Sequence, residues 1–230
     1  MYFIGDVHNN IQELKKLLAT LNLSGGAELV FLGDYIDKNT STQETVEFLL
    51  SLCQEYHCVF LKGNHDFVWD RYLNHQEYAR QEFLLKYGSA ESLRQYSGSP
   101  EVLIKNNDVA AIKVFFRDYL KLLALTQDYF LADSYLAVHA GLSPDQLNQQ
   151  PLVWSELNYF LRPKRMVLDK KYLGTHAVVA GHTFLSDTPT IYPGYINVDL
   201  GAGYGQYLGA LSTEDNAVIR SDGKIFTLNI

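Results

Sequence analysis

Cysteine is scarce in this chain, with only Cys53 and Cys58 among 230 residues. Two cysteines cannot complete a four-thiolate metal cluster, and they outline no disulfide framework. They read as two small buried thiols, compatible with a reducing compartment. Long apolar runs are also missing. Nothing approaches the roughly 20 consecutive apolar residues of a membrane-spanning helix. The opening residues, Met1-Tyr2-Phe3-Ile4-Gly5-Asp6, lack the basic and apolar regions of a secretory signal. The expectation is a cytoplasmic protein with no membrane partner. Positive charge is in deficit too, with 19 Lys and Arg against 26 Asp and Glu. An acidic chain of pI near 5.4 lacks the basic face of a nucleic-acid binder, so no nucleic-acid partner is expected. It does not exclude a phosphate site, because bound divalent cations reverse the local field.

What is present is an ordinary globular composition, 47% apolar and 20% charged, able to bury a substantial core. Short apolar runs at 2–5, 29–32 and 58–61 alternate with helical spacing at Ile11, Leu14, Leu17, Leu18 and Leu21, and again over 45–52. Strand-helix-strand order predicts a partly parallel sheet with right-handed crossovers. From about 67 to 125 the spacing is helical, broken at Gly88-Ser89 and Gly98-Ser99-Pro100. This predicts a helical insert within a single domain spanning 1–230. Tyr129–Leu131 and Tyr135–Val138 read as a hairpin, and 177–180 as a buried strand. From Thr190 onward, short strands separated by Pro193-Gly194, Asp215-Asn216 and Asp222-Gly223 suggest antiparallel pairing, in a second sheet packed on the first.

Five of the apolar runs end in the same kind of residue. They lead into Asp6-Val7-His8, Gly33-Asp34-Tyr35-Ile36-Asp37, Gly63-Asn64-His65-Asp66, His139-Ala140-Gly141 and Gly181-His182-Thr183. In α/β sheets, ligands bind beyond the carboxyl ends of strands, so these groups can meet in one cleft. Asp6 and His8, two apart on an extended segment, can point the same way. Mixed imidazole and carboxylate donors suit Mn, Fe or Zn. Two such ions, roughly 3.5–4 Å apart, need a bridging carboxylate, and Asp34 is the natural one. Each motif alone has an ordinary explanation, such as a helix cap at Asn64-His65-Asp66 or a hydrogen-bonded histidine after a strand. Their joint recurrence at strand ends is what points to a metal centre.

Taken together, these motifs resemble the calcineurin-like metallophosphoesterases of the protein serine/threonine phosphatase type, especially compact bacterial and phage members. The stretch Ile196-Asn197-Val198-Asp199-Leu200-Gly201-Ala202 extends the resemblance towards the end of the chain. The resemblance implies an α/β fold of two mixed β-sheets packed together and flanked by helices in four layers, with the helical insert. It implies a metal-dependent phosphatase acting on a phosphorylated protein or small phosphate ester through metal-bound hydroxide. Asp6, His8 and Asp34 would hold one of two divalent ions, with Mn the leading candidate and Fe or Zn the alternatives. Asp34, Asn64, His139 and His182 would hold the other. His65, oriented by Asp37, would protonate the leaving oxygen, and Asn64 would also contact phosphate. Asp66 and Asp199 would be structural, through hydrogen bonds to turns.

The chain departs from the family pattern around the phosphate. Lys38 stands where the family has an arginine, keeping the charge but not the planar two-pronged donor. Asn9 and Asn39 replace two glycines, and Asn tolerates a left-handed backbone better than most residues. A family Trp-x-Arg is here Trp154-Ser155-Glu156. Arg162 and Arg165, a few residues on, read first as solvated surface charges, with Arg162 the substitute candidate for phosphate contact. Two further readings remain open: a dinucleoside polyphosphate hydrolase, with tyrosines of 195–207 beside a base, and a metal-binding regulatory module without catalysis. The sequence leaves the oligomeric state open.

Overall fold

The computed structural model describes residues 1–24 and 26–228. In chain order the first strands and helices are β1 (Tyr2–Ile4), α1 (Ile11–Thr20), β2 (Glu28–Phe31), α2 (Thr42–Leu52) and β3 (His57–Leu61). A helical stretch follows: α3 (Asn64–Asn74), α4 (Gln81–Lys86), α5 (Pro100–Lys105), α6 (Val109–Phe115) and α7 (Arg117–Ala124). Then come β4 (Thr126–Gln127), β5 (Tyr129–Leu131), β6 (Tyr135–Val138), β7 (Ala177–Ala180), β8 (Thr190–Tyr192) and β9 (Tyr195–Asn197). The last strands are β10 (Gly209–Ser212), β11 (Ala217–Arg220) and β12 (Ile225–Thr227).

Two mixed sheets result. One runs β12-β11-β10-β1-β2-β3-β4, the other β5-β6-β7-β9-β8. The expected hairpin of β5 and β6 is present, antiparallel, with Tyr129 opposite Val138. The late strands divide between the sheets. The β8-β9 hairpin joins the second sheet, whereas β10 pairs antiparallel with β1 and extends the first. Its destination was not legible because all these short runs carry the same alternation. The two-residue β4, parallel to β3, lies below the length at which a sequence pattern registers.

The alternation of side chains along each strand creates the layers. Tyr2 and Ile4 face the helices while Phe3 faces the other sheet, and Leu29 and Phe31 divide from Val30 in the same way. On β7, Ala177 and Val179 enter the space between sheets, and Val178 and Ala180 the far side. On α1, Leu14 and Leu17 are fully buried against the first sheet, each contributing roughly 1.5–3 kcal/mol. The outer face of the second sheet is covered by residues 139–175, which carry three short 3-10 turns rather than α-helices.

The two cysteines differ from expectation. Cys53 is exposed and Cys58 only half-buried, because α2 ends and β3 begins at the rim of the sheet. Partial burial pushes the Cys58 thiol up to about 12. No helix among the described residues is long and apolar enough to cross a membrane.

Candidate metal centre

Strands β1, β2, β3 and β4 run parallel, as do β6, β7 and β9. The loops beyond their carboxyl ends therefore collect at one rim. Two groups of potential ligands form there, His8, Asp34 and His65, and Asp34, His139 and His182. Asp34 belongs to both. Its Oδ2 lies 3.4 Å from His8 Nε2 and its Oδ1 3.6 Å from His139 Nε2, so each oxygen serves a different imidazole. Asp6 closes the first group, with Oδ2 3.9 Å from His8 Nε2, and accepts the His182 backbone N–H at 3.0 Å. Asn64 Oδ1 stands 2.9 Å from His139 Nε2 and 2.7 Å from His182 Nδ1. All the sequence-nominated ligands thus meet in one place.

The donor arrangement fits cations. His139 Nδ1 faces the Leu32 carbonyl at 2.8 Å and His8 Nδ1 that of Ile36 at 2.9 Å. Each Nδ1 must donate to its carbonyl, which assigns a lone pair to Nε2 in the neutral ring. That lone pair on His139 faces the Asn64 oxygen, an acceptor against an acceptor, which a cation would satisfy. The Nε2 atoms of His8 and His182 are buried with no hydrogen-bond partner among the described residues. Burial holds the His8, His139 and His182 imidazoles below their ordinary pKa, in the neutral form that binds metal. Burial pushes Asp34 up, but the imidazoles of His139, His65 and His8 outweigh it and leave its carboxyl well below the usual range. Asp6 is driven up by burial, Asp199 and Asp34, an excess of buried acid that divalent ions would relieve.

His65 behaves differently. Its Nδ1 is 2.7 Å from Asp37 Oδ2, and its pKa is raised because Asp34 and Asp37 outweigh the depressing effect of burial. Asp37 is fully buried and holds still, because Trp69 Nε1 donates to Oδ1 at 2.9 Å and Ser92 Oγ at 2.8 Å, with Ser89 Oγ on Oδ2. Asp66 organises the neighbouring turn. Its Oδ2 accepts the N–H groups of Asp34 at 2.6 Å and Gly63 at 2.9 Å, and its Oδ1 the Tyr119 hydroxyl at 2.7 Å. Asp199 Oδ1 accepts the Gly201 N–H at 3.1 Å. Trp69, Ser89, Ser92 and Tyr119 escaped the sequence reading. They come from the helical insert, 32 to 55 residues from the acids they hold, and carry no local signal.

Backbone strain concentrates here. His8, Asn9, Asp34, Asp37, Lys38 and His182 all have positive φ, at 46°, 57°, 53°, 77°, 65° and 65°. Such residues persist only where surrounding contacts over-determine them. Asn9 takes the left-handed conformation expected of a glycine replacement, but Asn39 does not. Instead Asn9 Nδ2 donates to the Asn39 carbonyl at 2.7 Å and Asn39 Nδ2 to the His8 carbonyl at 2.8 Å, so the two asparagines clasp the β1 and β2 loops together. The motif glycines also differ in purpose. Gly33 does turn with φ 105°, whereas Gly63 and Gly181 are small because a Cβ would strike the carboxylates of Asp34 and Asp6.

A cleft of about 250 Å³ opens over the centre, lined by Asp34, Asn64, His65 and His182, by Lys38 and Arg162, and by Phe83, Tyr87, Phe160, Phe184 and Tyr204. Lys38 and Arg162, the two cations nominated for phosphate, thus reach the same cleft. Arg162 Nη1 lies 3.4 Å from the His182 carbonyl. Arg165 is not among the lining residues. Glu156 does not line the cleft either and instead pairs with Arg80.

The family model for calcineurin-like phosphoesterases matches residues 1–210. A bis(5'-nucleosyl)-tetraphosphatase PrpE (asymmetrical) from Geobacillus sp. (strain WCH70) is 25% identical over 228 residues, covering 90% of this chain and 87% of the relative. The serine/threonine-protein phosphatase 6 catalytic subunit of Caenorhabditis elegans is 30% identical over 143 residues, 61% of this chain and 36% of that protein. Among solved structures, a cold-active protein-tyrosine phosphatase from a psychrophilic Shewanella species superposes with a TM-score of 0.61 at 18% identity, covering 99% of this chain and 80% of the other, and so shares the fold. With the profile spanning nearly the whole chain and a shared aspartate linking two histidine groups, the chain belongs to the calcineurin-like phosphoesterases, phosphoric ester hydrolases built on a dinuclear divalent-metal site.

Proposed function

We propose that this chain is a Mn-dependent phosphomonoesterase in which Asp6, His8 and Asp34 hold one cation and Asp34, Asn64, His139 and His182 the other. One observation carries the reading: the two oxygens of Asp34 face two separate imidazoles, His8 and His139, at 3.4 and 3.6 Å. That is what a bridging carboxylate needs. When bound, the ions supply positive charge to the phosphoryl oxygens and make a water acidic enough to attack at neutral pH. Lys38 and Arg162 neutralise the phosphate from the cleft wall, and Asn64 donates from the floor. His65, whose pKa Asp34 and Asp37 raise against the opposing effect of burial, delivers its Nε2 proton to the departing oxygen. A non-catalytic module would have no use for that buried His65–Asp37 pair. The reading treats residues 1–230 as one cytoplasmic domain with an insert at about 67–125. Protein loaded with Mn should hydrolyse aryl and alkyl phosphates; Asp34→Asn should abolish turnover of both, and His65→Asn that of the alkyl phosphate. Undiminished turnover of the alkyl phosphate in either variant would sink the assignment.

A second substrate reading has its own observation. Five aromatic rings, Phe83, Tyr87, Phe160, Phe184 and Tyr204, line the cleft, more than a bare phosphate requires. Rings of this kind stack on nucleobases. A dinucleoside polyphosphate is therefore the alternative, in keeping with the named activity of the Geobacillus relative. Turnover of diadenosine tetraphosphate measured beside a phosphopeptide separates the two.

A further inference from the structure

We propose that Tyr204 is a positioning residue for phosphate, acting by holding the Lys38 ammonium over the cleft. The inference rests on the reading of Lys38 as a phosphate contact. Lys38 Nζ sits 4.2 Å from the centroid of the Tyr204 ring, within cation–π range. No carboxylate lies within 4.0 Å of that ammonium among the described residues, so the ring is what orients it. At the other end of the side chain the backbone is fixed. Lys38 has φ 65° and donates its N–H to the Gly88 carbonyl at 3.0 Å.

The loop that carries Tyr204 is built to lie on this lysine. Tyr204 ends a 3-10 turn bounded by Gly201 at φ 87° and Gly205 at φ 72°. Between them, a Cβ at Gly203 would stand 2.6 Å from the His8 ring and 2.9 Å from Lys38 Cδ. Only glycine lets the turn press so closely against both. Phe184 then backs the tyrosine, ring to ring at 5.5 Å and 27°. Tyr204 is nevertheless 61% exposed, so its ring is not held there by core packing.

The chemistry supplies the reason. An arginine presents a rigid planar fork to phosphate, whereas lysine is a point charge on a flexible stem. A ring beneath the ammonium restricts that stem before substrate arrives, and pre-organisation of this kind strengthens binding without new contacts. A base stacking on Tyr204 would compete with Lys38 for the ring, which separates this role from a nucleobase platform.

The test is a double-mutant cycle on Mn-loaded protein, reading kcat/KM for an aryl phosphate and inhibition by inorganic phosphate. Tyr204→Leu should weaken both by about two- to thirty-fold, the span of a cation–π contact. Tyr204→Phe, which keeps a ring under the ammonium, should restore most of that loss. In a Lys38→Met background Tyr204→Leu should cost nothing more. Metal content, measured in every variant, should stay at the wild-type level. A Tyr204→Leu loss that persists undiminished without Lys38, or one accompanied by lost metal, overturns the proposal. If Lys38→Met itself changes neither reading, the phosphate role of Lys38 falls and the proposal with it. If Lys38→Met acts but Tyr204→Leu does not, only the present inference fails.

Discussion

Glu156 accepts both terminal nitrogens of Arg80, at 2.8 and 3.0 Å, and so ties the cover of the second sheet to the helical insert. The position at which the sequence resemblance implies an arginine is here a strut between two peripheral segments. Both partners are partly exposed, 26% and 50%, so the pair is worth about 0–1 kcal/mol. Glu156→Gln should leave kcat/KM within about twofold and lower the melting temperature by at most a few degrees. Arg162→Met, in the cleft itself, should reduce kcat/KM by roughly ten-fold or more, the weight of a charge-assisted contact of about 1.5–3 kcal/mol. Steady-state kinetics on the two variants checks this. Equal losses would mean that Glu156 still bears on the phosphate.

Proton delivery can be tested through the leaving group. With His65 2.7 Å from Asp37, both His65→Asn and Asp37→Asn should lower kcat by about 10²–10⁴-fold on an alkyl phosphate, whose alkoxide needs a proton. On an aryl phosphate with an acidic phenol the loss should shrink markedly, because that oxygen departs without help. Asp37→Asn should also destabilise the fold, since it disturbs a fully buried carboxylate held by Trp69, Ser89 and Ser92. Leaving-group series for wild type and His65→Asn decide the matter. Parallel lines would remove His65 from the acid role.

The motif glycines predict metal loss. A Cβ at Gly63 would collide with the Asp34 carboxylate and would stand 2.4 Å from the Asp34 backbone N, and one at Gly181 would collide with the carboxylate of Asp6. Gly63→Ala and Gly181→Ala should each displace a would-be ligand and lower metal affinity by about 10–100-fold, the usual effect of disturbing a ligand's support. Elemental analysis after gel filtration, alongside circular dichroism, reads this directly. Full metal content in both variants would show that the carboxylates are free to shift.

These cases mark what could be read from residues and what could not. The ligand-bearing strand ends were legible because each pairs an apolar run with a polar residue beyond it, and the parallel strands carry those ends to one rim. The Asn9–Asn39 clasp and the hold of Trp69, Ser89 and Ser92 on Asp37 were not, because they join segments whose sequences show only helix or turn patterns. The sheet assignment of β10–β12 was hidden for a related reason. Alternation marks a strand's two faces but not its neighbour. Glycine before Asn64 and His182 was legible as part of each motif, but its purpose was not, since packing against a carboxylate leaves no trace in local sequence.

Stability should depend on pH through Asp70, which anchors the helix that presents Asn64 and His65. Lys62, one residue past β3, donates to Asp70 Oδ2 at 2.8 Å, and Asn74 to Oδ1 at 2.9 Å. Burial raises the Asp70 pKa, but the bonds from Lys62 and Asn74 outweigh it and hold the carboxyl below its ordinary value. A group depressed in the folded state stabilises above its unfolded pKa and loses that contribution as pH falls through the folded value. With both partners 18% exposed, the contribution should be about 0.5–1.5 kcal/mol. Asp70→Asn should therefore melt below wild type at neutral pH. The gap should stay constant down to about pH 5 and close as the solution passes below the ordinary carboxylate value of about 3.9. Differential scanning calorimetry across that range tests it. A gap that survives undiminished in strong acid would show that charge on Asp70 contributes nothing to holding the first turns of α3 against β3.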